Sequence, residues 1–371
     1  MLMNLGSTRR LPGRLSRTRT MLQTFAAGVL LLAASGCGEL AYTLTIISGE
    51  LRILASAVPI EHALAHDSTL TDEQREKLHL VVAAREYGRN VVGLYVGGSY
   101  QRFVNLHGQP LAYNLSGSRK DRFEPYYWRL PIVGTLPYIG FFTYDEVIAE
   151  RNRMLERGYD TLIYEVDAYS TLGLLPDPVS SALLERPIPS LVDTVLHELM
   201  HNTVAAMNDS TFNESVATFV GRTAGLEFLG YHFGEDAPIL QTAREFYEDS
   251  DRFNAFLQEL RARLETVYGS SASYDEKLML REAIFAAERE RFRTEVLPLM
   301  HNQAAYEAYT TLPINNAFLL TYTRYNTGLD VFAGIYELTG RNWGQTLALF
   351  AEAANTSDPI GYLQGILDGA P

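Results

Sequence analysis

The chain has 371 residues, 47% hydrophobic and 20% charged, with a formal charge of −13. This is the composition of an ordinary globular protein, long enough for one large domain or two smaller ones. The acidic balance argues against a nucleic-acid surface, and the lone cysteine, Cys37, excludes an internal disulfide or a multi-cysteine metal site.

Residues 1–36 read as a targeting segment. They hold five arginines (Arg9, Arg10, Arg14, Arg17 and Arg19) and no acid, followed by an apolar run through Phe25, Val29, Leu30, Leu31 and Leu32. Ala34-Ser35-Gly36-Cys37 then resembles a bacterial lipobox. It predicts cleavage before Cys37, lipidation of Cys37 and a tether to a membrane. Gly38, rather than Asp, follows the cysteine, which predicts the periplasmic face of the outer membrane. No other run approaches the ~20 apolar residues that a membrane span requires.

The rest predicts a mostly helical α+β protein. Residues 40–90 read as helices, the second opened by Thr71-Asp72-Glu73-Gln74, a capping box. From 91 to 133 short apolar runs between Gly, Tyr and Asn suggest loops and strands. Thr143 caps a helix that stops at Gly158. Tyr159 to Ala168 alternates and is rich in β-formers, so it reads as a strand. Residues 190–207 read as a helix capped by Ser190, and Thr211 to about Gly225 as its successor after the turn Asn208-Asp209-Ser210. Two long charged helices fill 240–297, with Glu288-Arg289-Glu290-Arg291 as a solvated face. Asn315-Asn316-Ala317 opens a further helix through Tyr322 and Tyr325, and the tail is helical and amphipathic.

One string carries chemistry: His197-Glu198-Leu199-Met200-His201, an H-E-x-x-H inside the apolar helix. Residues four apart share a helix face, so His197 and His201 can grip one ion, with Glu198 beside them in reach of a water. Two imidazoles and a carboxylate among Leu191, Val192, Val195, Leu196, Leu199 and Met200 are costly unless something pairs them. Catalytic zinc takes three protein ligands and keeps one position for water. Glu214, in Asn213-Glu214-Ser215, is the candidate third ligand, because antiparallel packing of the second helix returns its start to His201. The competing role for Glu214 is to close a capping box with Thr211. Asp193 is either a helix-start acid after Ser190 or a carboxylate that orients His197 from behind, and Asn213 is a further supporting residue. Glu198 serves as the general base, and Tyr322 and Tyr325 are the candidate donors to the oxyanion. The strand ending at Asp167-Ala168-Tyr169-Ser170 is the candidate edge on which a peptide lies extended.

These residues resemble the gluzincin metallopeptidases, which pair H-E-x-x-H with a glutamate in an Asn-Glu motif on the next helix. Only 12 residues separate His201 from Glu214, fewer than in thermolysin-like members. Pro137-Tyr138-x-Gly140-Phe141-Phe142, Val166-Asp167-Ala168-Tyr169-Ser170-Thr171-Leu172-Gly173, Phe212-Asn213-Glu214-Ser215, Asn315-Asn316-Ala317 and the lipobox together resemble the bacterial "predicted aminopeptidase" lipoproteins. The resemblance implies one Zn²⁺, a peptide substrate, and a single zincin-like domain over 37–371. Within it lie an N-terminal helical part (37–90), a sheet-containing part (91–175), the metal-site helices (176–230) and a C-terminal helical part (231–371). The Gly-x-Met-Glu-Asn motif that reads a substrate amine in gluzincin aminopeptidases is absent, leaving Glu165 or Asp167 for that task. The alternatives are a metallo-endopeptidase and a non-catalytic envelope lipoprotein with a structural or vestigial metal site.

Overall fold

The computed structural model describes residues 37–130, 134–168, 171, 175–207 and 209–369. In chain order these form α1 (Cys37–Ser56), β1 (Val58–Pro59), α2 (Ile60–His66) and α3 (Asp72–Tyr87), which runs on through a wider turn, Gly88–Val92. Next come β2 (Arg102–Val104), β3 (Ala112–Arg119), β4 (Trp128–Leu130), β5 (Gly134–Leu136), β6 (Tyr138–Phe141), α4 (Tyr144–Glu156), β7 (Tyr159–Val166) and β8 (Val179–Ser180). The remainder is helical: α5 (Ile188–His201), α6 (Ser210–Phe233), α7 (Pro238–Tyr268), α8 (Tyr274–Arg291), α9 (Gln303–Tyr306), α10 (Asn316–Tyr325), α11 (Leu329–Leu338), α12 (Trp343–Ala353) and α13 (Pro359–Asp368). The fold is α+β and mostly helical, as the sequence predicts. The described helices include none long and apolar enough to cross a membrane.

Local chemistry accounts for several boundaries. Thr71 and Gln74 exchange hydrogen bonds in the predicted capping box at the start of α3. The Thr143 hydroxyl accepts from the Glu146 N–H at the start of α4, and Gly158, at φ 80°, breaks the chain after it. The helix that carries H-E-x-x-H is shorter than predicted and begins earlier. Pro187 is its N-cap and Pro189 lies in its first turn, where a missing N–H costs nothing, so Ser190 is inside the helix. It ends at His201 because the Thr203 hydroxyl donates to the Leu199 carbonyl while the N–H groups of Thr203 and Val204 turn back to Met200.

The principal sheet has the order β6-β3-β7, antiparallel throughout, with Asn114 opposite both Gly140 and Tyr164. β7 is an edge strand. The Val166 carbonyl accepts from Leu111 on the β3 side, whereas the Thr161 carbonyl accepts from the Asn315 side chain on the outer side. Asn316 is fully buried and ties α10 to the same sheet: its N–H donates to Asp160, and its amide group donates to Arg119 O and accepts from the Tyr268 hydroxyl. Arg281 pairs with Asp160 in this seam at 2.9 Å.

The largest apolar core joins α3, α5, α6, α11 and α12, through residues such as Leu78, Leu196, Val220, Phe332 and Phe350. A second cluster, built on Phe253, Leu260, Phe285 and Phe292, lies between α7, α8 and α10. A third seats α4 on the sheet through Leu115, Val147 and Met154. One surface reading is overturned: Glu288 is buried between Arg263 and Arg291, so the Glu288–Arg291 run is not a fully solvated face.

Candidate metal centre

α5 and α6 pack antiparallel. Gly221 faces Asp193 and His197, Gly225 faces Val192 and Asp193, and Glu214, near the start of α6, reaches the last turn of α5. The turn between them is clasped by Asn213, whose amide oxygen accepts from Ala206 N–H at 2.7 Å while its amide nitrogen donates to Ala206 O at 2.9 Å. The cap of α6 is Asp209, whose carboxylate accepts from Phe212 N–H. This settles the competing role: with Asp209 as the cap, Thr211 is already helical and Glu214 closes no capping box with it.

Glu214 turns instead to the histidines. Its Oε2 lies 3.3 Å from His197 Nε2 and 3.5 Å from His201 Nε2, and the two imidazole nitrogens are 3.2 Å apart. Donors bound tetrahedrally at zinc's usual ~2.0–2.1 Å are spaced about 3.3 Å from one another, so the three atoms fit one such ion. All three side chains are at most 13% exposed. Burial alone raises the cost of ionising Glu214, but the two imidazoles outweigh it and hold the carboxyl far below its usual range. The converse holds at His201, where burial disfavours the cation but Glu214 raises the pKa overall.

Glu198 lies in the field of the same groups. Burial raises its pKa, His197 and His201 pull it down, and Glu214 and Asp177 push it up again. Tyr325 sits against the cluster, its ring stacked on His197 with centroids 6.1 Å apart and planes 25° apart. Burial, then the neighbouring charge of Glu214, keeps its hydroxyl protonated. Tyr322 is a correction. It packs on Phe253 and Phe318 in the second core and takes no place beside the histidines. Asp193 is a second correction. It is the sixth residue of α5, so its carboxyl is not at the helix start. Its Oδ1 instead faces Gly221 of α6, in the field of His197 and beside Tyr247, and burial pushes its pKa up to about 6.

The proposed substrate edge is corrected in part. Asp167 is engaged by Arg186, which also donates to Ser190 and Thr194, so its carboxylate already has a cation. Glu165 is exposed and neighbours Tyr164 on the strand, so its side chain leaves from the opposite face. Ala168 packs on the principal core. Tyr169 and Ser170 lie outside the described residues, as do residues 1–36, expected to be a targeting segment; Cys37 opens α1.

Sequence reasoning missed three neighbours of the cluster. Tyr138 on β6 and Tyr164 on β7 are half-buried, each in the field of Glu214, and Tyr164 also feels the Tyr325 hydroxyl. The Arg324 guanidinium lies over the Tyr138 ring, 5.4 Å from its centre. Strand alternation could have assigned Tyr164 to one face of β7 but not chosen which face meets the helices.

No curated protein and no solved structure matches the chain. A family model described as "Putative aminopeptidase" matches residues 41–359, a span that contains the helix pair, the sheet and all three clustered residues. The chain therefore belongs to the putative aminopeptidase family.

Proposed function

We propose that this protein is a zinc-dependent peptidase that removes residues from the amino end of short peptides. The observation that carries the reading is the convergence of His197 Nε2, His201 Nε2 and a Glu214 oxygen on one point, with Glu198 beside them. Bound zinc supplies a Lewis acid that acidifies water to a pKa of about 7 and polarises the scissile carbonyl. Glu198 takes a proton from the attacking water and returns it to the leaving amine, a task for which burial has already raised its basicity. Tyr325, held protonated by burial, donates to the oxygen on which charge develops. Asp193 fixes His197, and the outer edge of β7 beyond Thr161 offers backbone groups to an extended substrate. A purely structural metal site has no use for a carboxylate in the position of Glu198. The family description supports action at the amino end. The lipobox supports anchorage through Cys37 at the periplasmic face of the outer membrane.

The test is metal analysis together with a panel of peptide–fluorophore conjugates, on wild type and Glu198→Gln. Both proteins are expected to hold zinc, and the variant to lose about 10²–10⁴-fold in turnover. Zinc binding by a wild type that cleaves nothing the variant spares would defeat the enzyme reading. Free and N-acetylated peptides compared side by side separate removal of terminal residues from internal cleavage.

A further inference from the structure

Between the start of α6 and α10 lies a pocket of about 560 Å³, lined by Tyr127, Thr211, Arg261, Thr323, Arg324 and Thr327 among others. That is within the size range of a small-molecule site. Three of its walls continue directly into the centre. Thr211 is one helical turn before Glu214, Arg324 immediately precedes Tyr325, and Pro137 immediately precedes Tyr138. The walls are fastened together: the Ser215 hydroxyl donates to Arg324 O at 2.8 Å and accepts from Thr327 N–H at 3.1 Å.

The unusual group is Arg324. It is only 5% exposed, its Nη1 is buried with no hydrogen-bond partner, and no carboxylate pairs with it among the described residues. Its guanidinium lies over the face of the Tyr138 ring, and Tyr164 and Tyr325 also feel its charge. A buried guanidinium lacking an acid is costly, and in a chain of formal charge −13 acids are plentiful, so an unpaired cation here is a conspicuous departure. Two other pocket features bear on ligand charge, each with an acid already beside it, Asp209 at the start of α6 and Glu265 against Arg261. The N–H groups of Ser210 and Thr211 precede the first helical hydrogen bond of α6, from Asn213 N–H to Asp209 O, and so face outward from a 24-residue helix. Arg261 adds a second guanidinium, stacked on Phe123 with only its Nε committed, to Glu265. The Thr323 hydroxyl donates to Leu319 O within α10 and the Thr327 hydroxyl, just past its end, to Thr323 O, so they wall the pocket without competing for the cation.

We propose that this pocket receives the carboxylate at the far end of the peptide substrate, with Arg324 as its anchor, so that the enzyme selects short peptides with a free C-terminus. A planar carboxylate is the natural complement of a guanidinium fork. The inference takes its substrate from the peptidase reading, but binding tests it independently of turnover.

The experiment uses the zinc-loaded full chain carrying Glu198→Gln, so that substrate is bound but not consumed. Calorimetric titration compares one tripeptide as free acid and as C-terminal amide. The free acid is expected to bind at least about tenfold more tightly, as a charge-assisted hydrogen bond implies. The preference is expected to collapse when Arg324→Gln is added, and to survive in part with Arg324→Lys. Should Arg324→Gln fail to fold, Thr211→Val with Arg261→Gln reads out the same loss. Inorganic phosphate is expected to compete with the free acid. Equal affinity for acid and amide, or phosphate that binds without displacing the peptide, overturns the inference. A preserved preference in a wild type that hydrolyses nothing sinks the peptidase reading instead and leaves the pocket standing.

Discussion

At the residue scale, the centre depends on groups that are costly to bury singly and compatible only together. Glu214 stays ionised because two imidazoles face it; remove them and burial would protonate it. Asp193 works from behind the cluster. Asp193→Asn keeps the shape but removes the charge felt by His197, and if that charge orients the ring, as proposed, zinc affinity is expected to fall about 10–100-fold, read by competition with a chromophoric chelator. Asp177 shows how local burial is written into pH dependence. It is 2% exposed, its Oδ1 has no partner, and burial raises its pKa despite donors from Thr171 and Ser99 on the other oxygen. A carboxyl with a raised folded pKa binds more protons folded than unfolded, so stability falls as pH rises from the usual carboxylate range through the raised value. Asp177→Asn is expected to flatten that decline in thermal midpoint between wild type's acid and neutral arms. An unchanged slope would show that the charge is tolerated.

At the element scale, the decisive contact is α5 against α6. Gly221 makes it close: a Cβ there would meet Asp193 Oδ1 at 2.2 Å, the Asp193 backbone oxygen at 2.8 Å and His197 Cβ at 3.1 Å. Backbone cannot swing aside, so Gly221→Ala must push the helices apart. The expected cost is about 1–3 kcal/mol in chemical denaturation, together with weaker zinc binding. A stable, fully metallated variant would show that the two helices have slack. The same pair explains what the sequence could and could not tell. The H-E-x-x-H was legible because its spacing is a helix property that needs no partner. Glu214 was legible as the candidate third ligand only beside a competing capping role, because Asp209, Ser210 and Thr211 can each cap a helix, and only the actual register frees Glu214 from its own first turn. Tyr322 and Tyr325 are neighbours on one short helix, and tertiary packing alone decides that one stacks on His197 and the other on Phe253. Buried charges such as Glu288 and Arg281 read as surface in a sequence, since their partners, Arg263 and Asp160, are remote along the chain.

At the scale of the whole molecule, the three clustered donors sit where elements distant in the chain meet. α5 and α6 belong to the principal core, α10 bridges to the sheet through Asn315 and Asn316, and the Ser215–Arg324 bond ties α6 to α10. An ion held there links α5 to α6 within that shared core, so its binding should report on global stability rather than on one loop. A ligand that binds only the folded chain stabilises it by about 4 kcal/mol at a thousandfold excess over its Kd. Spread over the unfolding entropy of a chain this long, that corresponds to a rise in Tm of about 5 °C. Chelation is expected to lower the wild-type Tm by this amount and zinc to restore it, whereas Glu214→Gln, lacking the third donor, is expected to respond little to either. Calorimetry on the two proteins, with and without EDTA, decides the matter: a wild type indifferent to chelation, or a Glu214→Gln variant that shifts as far as wild type, would mean that the convergence of His197, His201 and Glu214 holds no metal that the fold depends on.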